Sequence, residues 1–142
     1  MGVRLPSKLL TVCIDANVLL SAIAFGGKPE QVLDALFDDK YAHVTSAVLL
    51  EETRRNLLKK IRRLSPQRVH ESLKDIEDIS TVVNPSGLLK VLEYMPDNLV
   101  LETALLGNCD VLVTGDKQHL LPLNPYKGLA IESPADFLKR LG

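Results

Sequence analysis

Apolar positions along the chain fall into two regimes that alternate from one end to the other. Short, nearly continuous apolar runs recur at Leu10–Ile14, Tyr41–Thr45, Thr81–Val83, Val111–Thr114 and Leu129–Ile131. Runs of that length and character predict strands buried on both faces. Between them the apolar residues fall at helical spacing. Asn17–Ala24 predicts a short helix, followed by a two-glycine loop, Phe25-Gly26-Gly27-Lys28-Pro29. Glu30–Asp38 continues as a helix with Val32, Leu33, Leu36 and Phe37 on its apolar stripe. Ser46 caps a long helical pattern reaching about Arg63, and Ser65-Pro66 starts another, to about Asp78. After the turn Asn84-Pro85-Ser86-Gly87, the stretch Leu88–Tyr94 fits either helix or irregular structure. Pro96-Asp97 opens a helix to Leu106, and Ser133-Pro134 opens the terminal one. Strand and helix in regular alternation predict an α/β fold, a single domain over residues 1–142 with a mostly parallel sheet and helices on both faces.

That topology sorts the acidic residues. Right-handed crossovers bring the carboxyl ends of parallel strands to one edge, where open α/β sheets place their ligands. Asp15 and Asp116 each follow a strand and belong to that edge; Asp110 precedes its strand, Asp38 and Asp39 follow a helix, and these three read as turn residues of the opposite edge. Asp97 leads the apolar stripe of its helix, with Val100, Leu101, Ala104 and Leu105 at i+3, i+4, i+7 and i+8, so it should face the sheet. Glu52 follows the second strand and shares a face with Val48, Arg55 and Lys59, while its neighbour Glu51 lies nearer the apolar stripe and stays open as the alternative. Taken singly, Asp15 or Asn17 reads better as a helix cap than as a ligand. Four acids from four segments form a pocket whose mutual repulsion calls for a cation. Oxygen donors without nearby histidine or cysteine suit Mg2+ or Mn2+, and such a site serves phosphodiester hydrolysis.

Charge and composition refine this only locally. The 142-residue chain has a net charge of −1, 46% hydrophobic and 25% charged residues, the balance of an ordinary globular protein. Arg54, Arg55, Lys59, Lys60, Arg62 and Arg63 nevertheless crowd one stretch beside Glu52, a patch that could hold a polyanionic phosphate backbone or simply be a solvated helix face. Cys13 and Cys109 lie in apolar runs and read as reduced core residues. His43, His70 and His119 show no ligand spacing and are expected on the surface or in loops. The absence of a membrane-length apolar run or a secretory signal leads to the expectation of a cytoplasmic protein following a short leader.

With these residues in place, the chain resembles the PIN-domain family, nucleases that include the VapC-like toxins of toxin–antitoxin pairs. The resemblance is carried by Ile14-Asp15-Ala16-Asn17-Val18-Leu19, Ser46-Ala47-Val48-Leu49-Leu50-Glu51-Glu52, Pro96-Asp97-Asn98 and Leu112-Val113-Thr114-Gly115-Asp116-Lys117. It implies an α/β/α sandwich and a divalent-metal ribonuclease in which Asp15, Glu52, Asp97 and Asp116 are the catalytic acids. Asp15, Asp97 and Asp116 would bind metal, with Asn17 and Thr114 in support. It further implies an RNA substrate, an antitoxin protein as partner and a homodimer. Two departures stand out: Tyr94-Met95-Pro96-Asp97-Asn98 holds one acid where this branch carries several, and Gln118 stands where a further acid is common. Haloacid-dehalogenase-like phosphatases resemble the start but want a second aspartate where Asn17 stands. No glycine-rich dinucleotide fingerprint follows the first strand.

Overall fold

The computed structural model describes residues 9–142; the leader expected ahead of Leu10 falls, through residue 8, outside the described residues. Five strands, β1 (Thr11–Ile14), β2 (Ala42–Ser46), β3 (Ser80–Val83), β4 (Val111–Val113) and β5 (Ala130–Glu132), form one sheet in the order β3-β2-β1-β4-β5. Every pairing is parallel. The helices are α1 (Ala16–Ala24), α2 (Gly27–Phe37), α3 (Ala47–Lys60), α4 (Pro66–Asp78), α5 (Met95–Leu106) and α6 (Pro134–Leu141). The expected α/β architecture is therefore observed, with the sheet fully parallel.

The two faces of the sheet are covered unequally. Val12, Ile14, Val111 and Val113 point into a core filled by α1, α2, α3, α4 and α6, with Leu19, Val32, Leu57, Ile76 and Phe137 among its residues. On the other face Cys13, Val44, Leu112 and Ile131 meet chiefly one helix, α5, through Val100, Leu101 and Ala104. Alternate residues of the central strands serve opposite cores, which explains their continuous apolar runs, while the edge strand β3 leaves Thr81 and Val82 exposed. Both cysteines are buried and unpaired in these strands' surroundings.

Three helices begin where a serine hydroxyl accepts a free N–H group of the first turn. Ser46 accepts from Leu49, Ser65 from Arg68 and Ser133 from Asp136. The predicted loop at Phe25–Pro29 is shorter than expected. Helix α2 already starts at Gly27, because Gly26 and Gly27 adopt φ values of 89° and 71° that turn the chain in two residues. Helix α3 in turn stops at Lys60 and leaves Arg62 and Arg63 in a turn.

Helix α5 approaches β2 so closely that only glycine fits at its end. A Cβ on Gly107 would stand 2.4 Å from Val44 Cγ1 and 2.9 Å from Cγ2. Overpacking of this kind costs about 1–3 kcal/mol. Gly107→Ala is therefore expected to lower stability by that amount in urea unfolding; an unchanged midpoint would show that the contact relaxes freely.

The strand order also fixes where a ligand can reach the sheet. The chain runs outward from β1 to β2 and β3, then returns across the sheet to place β4 against the other side of β1. The connections leaving β1 and β4 diverge and open a crevice between their carboxyl ends.

Candidate metal centre at the carboxyl edge

Asp15 and Asp116 flank that crevice. The Asp15 N–H donates to Val113 O at 2.9 Å, pinning the end of β1 to β4. Asp15 occupies the N-cap position of α1, yet its side chain makes no capping bond. Asn17 is already the second residue of α1, so neither residue plays the expected capping role. The Asp15 carboxylate is instead held by Thr114, whose hydroxyl donates to Oδ2 at 2.8 Å. The same oxygen of Thr114 accepts the Asp116 N–H at 3.1 Å. One fully buried hydroxyl thus sets the positions of two acids from two strands.

The other two acids come from the helices on either side. Glu52 projects from α3, whose start is fixed by the Ser46 cap, and Thr103 Oγ1 of α5 lies 3.1 Å from that cap. Asp97 sits in the first turn of α5, whose preceding segment has no regular structure of its own. Two side chains of α5 hold that segment. Asn98, 2% exposed, accepts from the Val91 and Leu92 N–H groups at 2.9 and 2.8 Å and donates to Leu92 O at 2.7 Å. One turn further on, the Glu102 carboxylate accepts from the Ser86 and Gly87 N–H groups and the Ser86 hydroxyl. The sequence pattern assigned no role to Glu102, and Asn98 entered only as part of the Pro96-Asp97-Asn98 motif. A polar pair at i and i+4 on an otherwise apolar helix was the available signal.

Asp15, Glu52, Asp97 and Asp116 all line one open pocket of about 460 Å3, together with Asn17. Its electrostatics follow from crowding. Burial pushes the Asp15 carboxyl up to about 6, opposed by the Thr114 hydrogen bond and reinforced by Glu52 and Asp97. Burial raises Glu52 as well, Arg55 pulling against it and Asp97 adding to it. Asp97 is raised by burial and then by Asp116, with His119 acting the other way. These are groups gathered where their negative charges disfavour one another.

The basic residues divide, with Arg55 at the boundary: it lines the acid pocket while its Nε also lies 3.9 Å from Glu51 Oε1. Arg55 and Lys60 line the acid pocket, with Asn56 between them on the same wall. Arg54 faces away, donating to Glu51 at 2.8 and 2.5 Å, and that exposed pair lies beside another depression. Glu51 is thereby separated from the four acids, and the geometry favours Glu52 as the one in the pocket. Arg63 folds back to donate to Ala24 O, and Lys59 and Arg62 are exposed outside the pocket lining.

One of the three histidines departs from the expected surface or loop placement, and a second, in an exposed turn as expected, nevertheless stands at the site. His43 is buried in β2, its Nδ1 lying 2.7 Å from Ser80 Oγ, and desolvation lowers it to about 4. His119 lines the acid pocket, with Nδ1 3.5 Å from Asp116 Oδ2 and 3.9 Å from Asp97 Oδ2. His70 lies exposed on α4, and His119 lies exposed in its turn. The pocket also has an aromatic rim at Tyr94, which no sequence pattern indicated.

Comparison with known proteins bears on the fold and the family. An uncharacterized protein of Methanocaldococcus jannaschii is 30% identical over 128 residues, covering 87% of this chain and 82% of that relative. The fold is similar to a chain of VapBC2 from Rickettsia felis, solved bound to a DNA fragment from their promoter. That match has a TM-score of 0.64 at 16% identity and covers 87% of this chain and 98% of that one. It is also similar to PAE2754 from Pyrobaculum aerophilum, with a TM-score of 0.62 at 19% identity over 93% and 95% of the two chains. The PIN domain profile matches residues 11–118, from the first strand to just past Asp116. By that match, which spans most of its length and all four clustered acids, the chain belongs to the PIN domain family.

Proposed function

We propose that this PIN domain is a divalent-metal-dependent endoribonuclease, the toxin of a toxin–antitoxin pair, which hydrolyses RNA phosphodiester bonds. The observation that carries the reading is the gathering of four carboxylates from four segments around Asp15, buried to 8% exposure at the switch point of a parallel sheet. Oxygen donors at this density fit Mg2+ or Mn2+. Asp15, Asp97 and Asp116 would hold the ion, and Thr114 fixes two of the three. When bound, the cation neutralises charge on the phosphate and acidifies water.

The chain's own groups supply the rest. Glu52, raised by burial and lining the same pocket, orients the attacking water and accepts its proton. Arg55 and Lys60, which also line it, hold the phosphates on either side of the scissile bond. Asn17 lines the pocket in a supporting place. The resemblance to VapBC2 supports an antitoxin partner, and a homodimer belongs to the same reading. No helix among the described residues is long and apolar enough to cross a membrane.

The division of basic residues gives a direct test of substrate placement. Removing a phosphate contact lowers the slope of log affinity against log salt by about 0.7 for a single strand. Arg55→Ala with Lys60→Ala is expected to flatten that slope by about 1.4 for single-stranded RNA, read by fluorescence anisotropy in EDTA. Arg54→Ala is expected to leave it unchanged. Equal losses in both would place the RNA elsewhere.

A second reading, a PIN fold that binds RNA or protein without cutting, is favoured by Gln118 and by the single acid, Asp97, at the start of α5. Melting in Mn2+ separates the two. A working centre raises the melting temperature as metal rises, because only the folded state binds it. An unmoved melting temperature at millimolar Mn2+ would favour the binding module.

A further inference from the structure

The oxygen-only donor set expected from the sequence is incomplete, because the fold adds a nitrogen. Asp97, Asp116 and His119 each offer a ligand atom, and these atoms lie within 4.8 Å of one another. The ring does not arrive there by chance of a loose loop. Asp116 Oδ1 accepts the N–H groups of Gln118 and His119, both at 3.1 Å. The Leu121 N–H returns to Asp116 O at 3.0 Å, and Leu120 between them is fully buried. This turn is wound around one oxygen of Asp116, and it brings the imidazole over the other.

We propose that His119 Nδ1 is a protein ligand beside the Asp97 and Asp116 carboxylates, biasing the site toward first-row transition ions over Mg2+. The inference rests on the preceding reading of the pocket as a metal centre and deepens it. Ligand atoms about 2.1 Å from one ion stand roughly 3 to 4 Å apart. The separations of 3.5 and 3.9 Å from Nδ1 to the two carboxylates lie in that range. Imidazole binds transition ions well and Mg2+ poorly, whereas carboxylate oxygen serves both. One nitrogen added to an oxygen site therefore changes selectivity more than total affinity. The order expected is Co2+ tighter than Mn2+, and Mn2+ tighter than Mg2+.

The competing role for the same ring is an imidazolium ion-paired with the two acids and displaced when metal binds. The two roles give opposite results. Titration calorimetry with each ion alone, on the full chain and on His119→Ala, is the measurement. Residue 119 is exposed, and melting in EDTA confirms that the variant folds. The variant is expected to lose about tenfold in Mn2+ and Co2+ affinity and little in Mg2+ affinity. Pulsed electron paramagnetic resonance of the Mn2+-bound protein should show a directly coordinated imidazole nitrogen that His119→Ala removes. Metal binding without that nitrogen signal, or tighter binding in the variant, would overturn the ligand role and leave the carboxylate site standing. Failure of every ion to bind the native protein would overturn both.

Discussion

Asp15→Asn is expected to make the metal-free protein more stable while abolishing its metal response. Asp15 is raised to about 6, chiefly by desolvation, whereas its value in the unfolded chain is near 3.8. The sign follows from linkage. A carboxyl raised by folding binds its proton more tightly in the folded state, so its favourable contribution is complete below pH 4. That contribution is lost as pH rises through 6, and at neutral pH the buried charge is a net cost of up to about 3 kcal/mol. An asparagine carries no charge and can still accept the Thr114 hydroxyl through its amide oxygen. In EDTA at pH 8 the variant should melt about 6 to 12 °C higher than the native protein. The gap should close as pH falls from 6 toward 4. His43 sharpens the comparison because it acts oppositely. Lowered to about 4 by burial, it contributes stability above pH 6.5 that is lost as pH falls. In native protein the two groups offset one another between pH 4 and 6; in Asp15→Asn the acid-side loss from His43 stands alone. A variant less stable than native protein in EDTA at pH 8 would contradict this balance.

Asn98→Ala is expected to cost about 2–4 kcal/mol, a large loss for a residue outside the four acids. Its amide carries the Val91 and Leu92 N–H groups and Leu92 O, and truncation strands them in partly buried surroundings. Each stranded polar group costs about 1–3 kcal/mol, less what water recovers. The functional consequence follows from Tyr94. Its carbonyl accepts the N–H groups of Asp97 and Asn98, so the segment Asn98 holds is also the one from which α5 starts. Loosening it should displace Asp97 and weaken Mn2+ binding even where the variant remains folded. Urea unfolding and Mn2+ titration of the same preparation separate the two effects. Lost stability with unchanged Mn2+ affinity would mean that Asp97 is placed by α5 alone.

The fold was legible from the sequence wherever a signal was local. Ser46, Ser65 and Ser133 each marked a helix start because a cap needs only its own first turn. The central strands were legible because both faces of the sheet are buried there, leaving their apolar runs unbroken, whereas the edge strand β3 is largely exposed. Asp15 and Asp116 could be brought to one edge because chain order in a parallel sheet is itself a geometric statement. What escaped depended on partners distant in sequence or on short turns. The stretch Leu88–Tyr94 has no periodic signal, since its conformation is imposed by Asn98 and Glu102 from the helix that follows. His119 looked like an ordinary loop residue because nothing in its spacing shows a turn closing on an aspartate oxygen. The basic stretch looked continuous in sequence, yet a helix distributes neighbours around its axis. Arg55 and Lys60 reach the pocket, Arg54 pairs with Glu51 on another side, and Arg63 lies past the helix end. His43 was hidden by the same double burial that made its strand readable.

The most direct test of the proposed metal-dependent nuclease is cleavage of a single-stranded RNA by native protein and Asp15→Asn, purified in parallel. Native protein is expected to cut in Mn2+ and to stop when EDTA is added. Asp15→Asn is expected to leave the RNA intact under both conditions, despite being the more stable protein. Undiminished cutting by that variant, or by native protein in EDTA, would contradict a nuclease centred on Asp15.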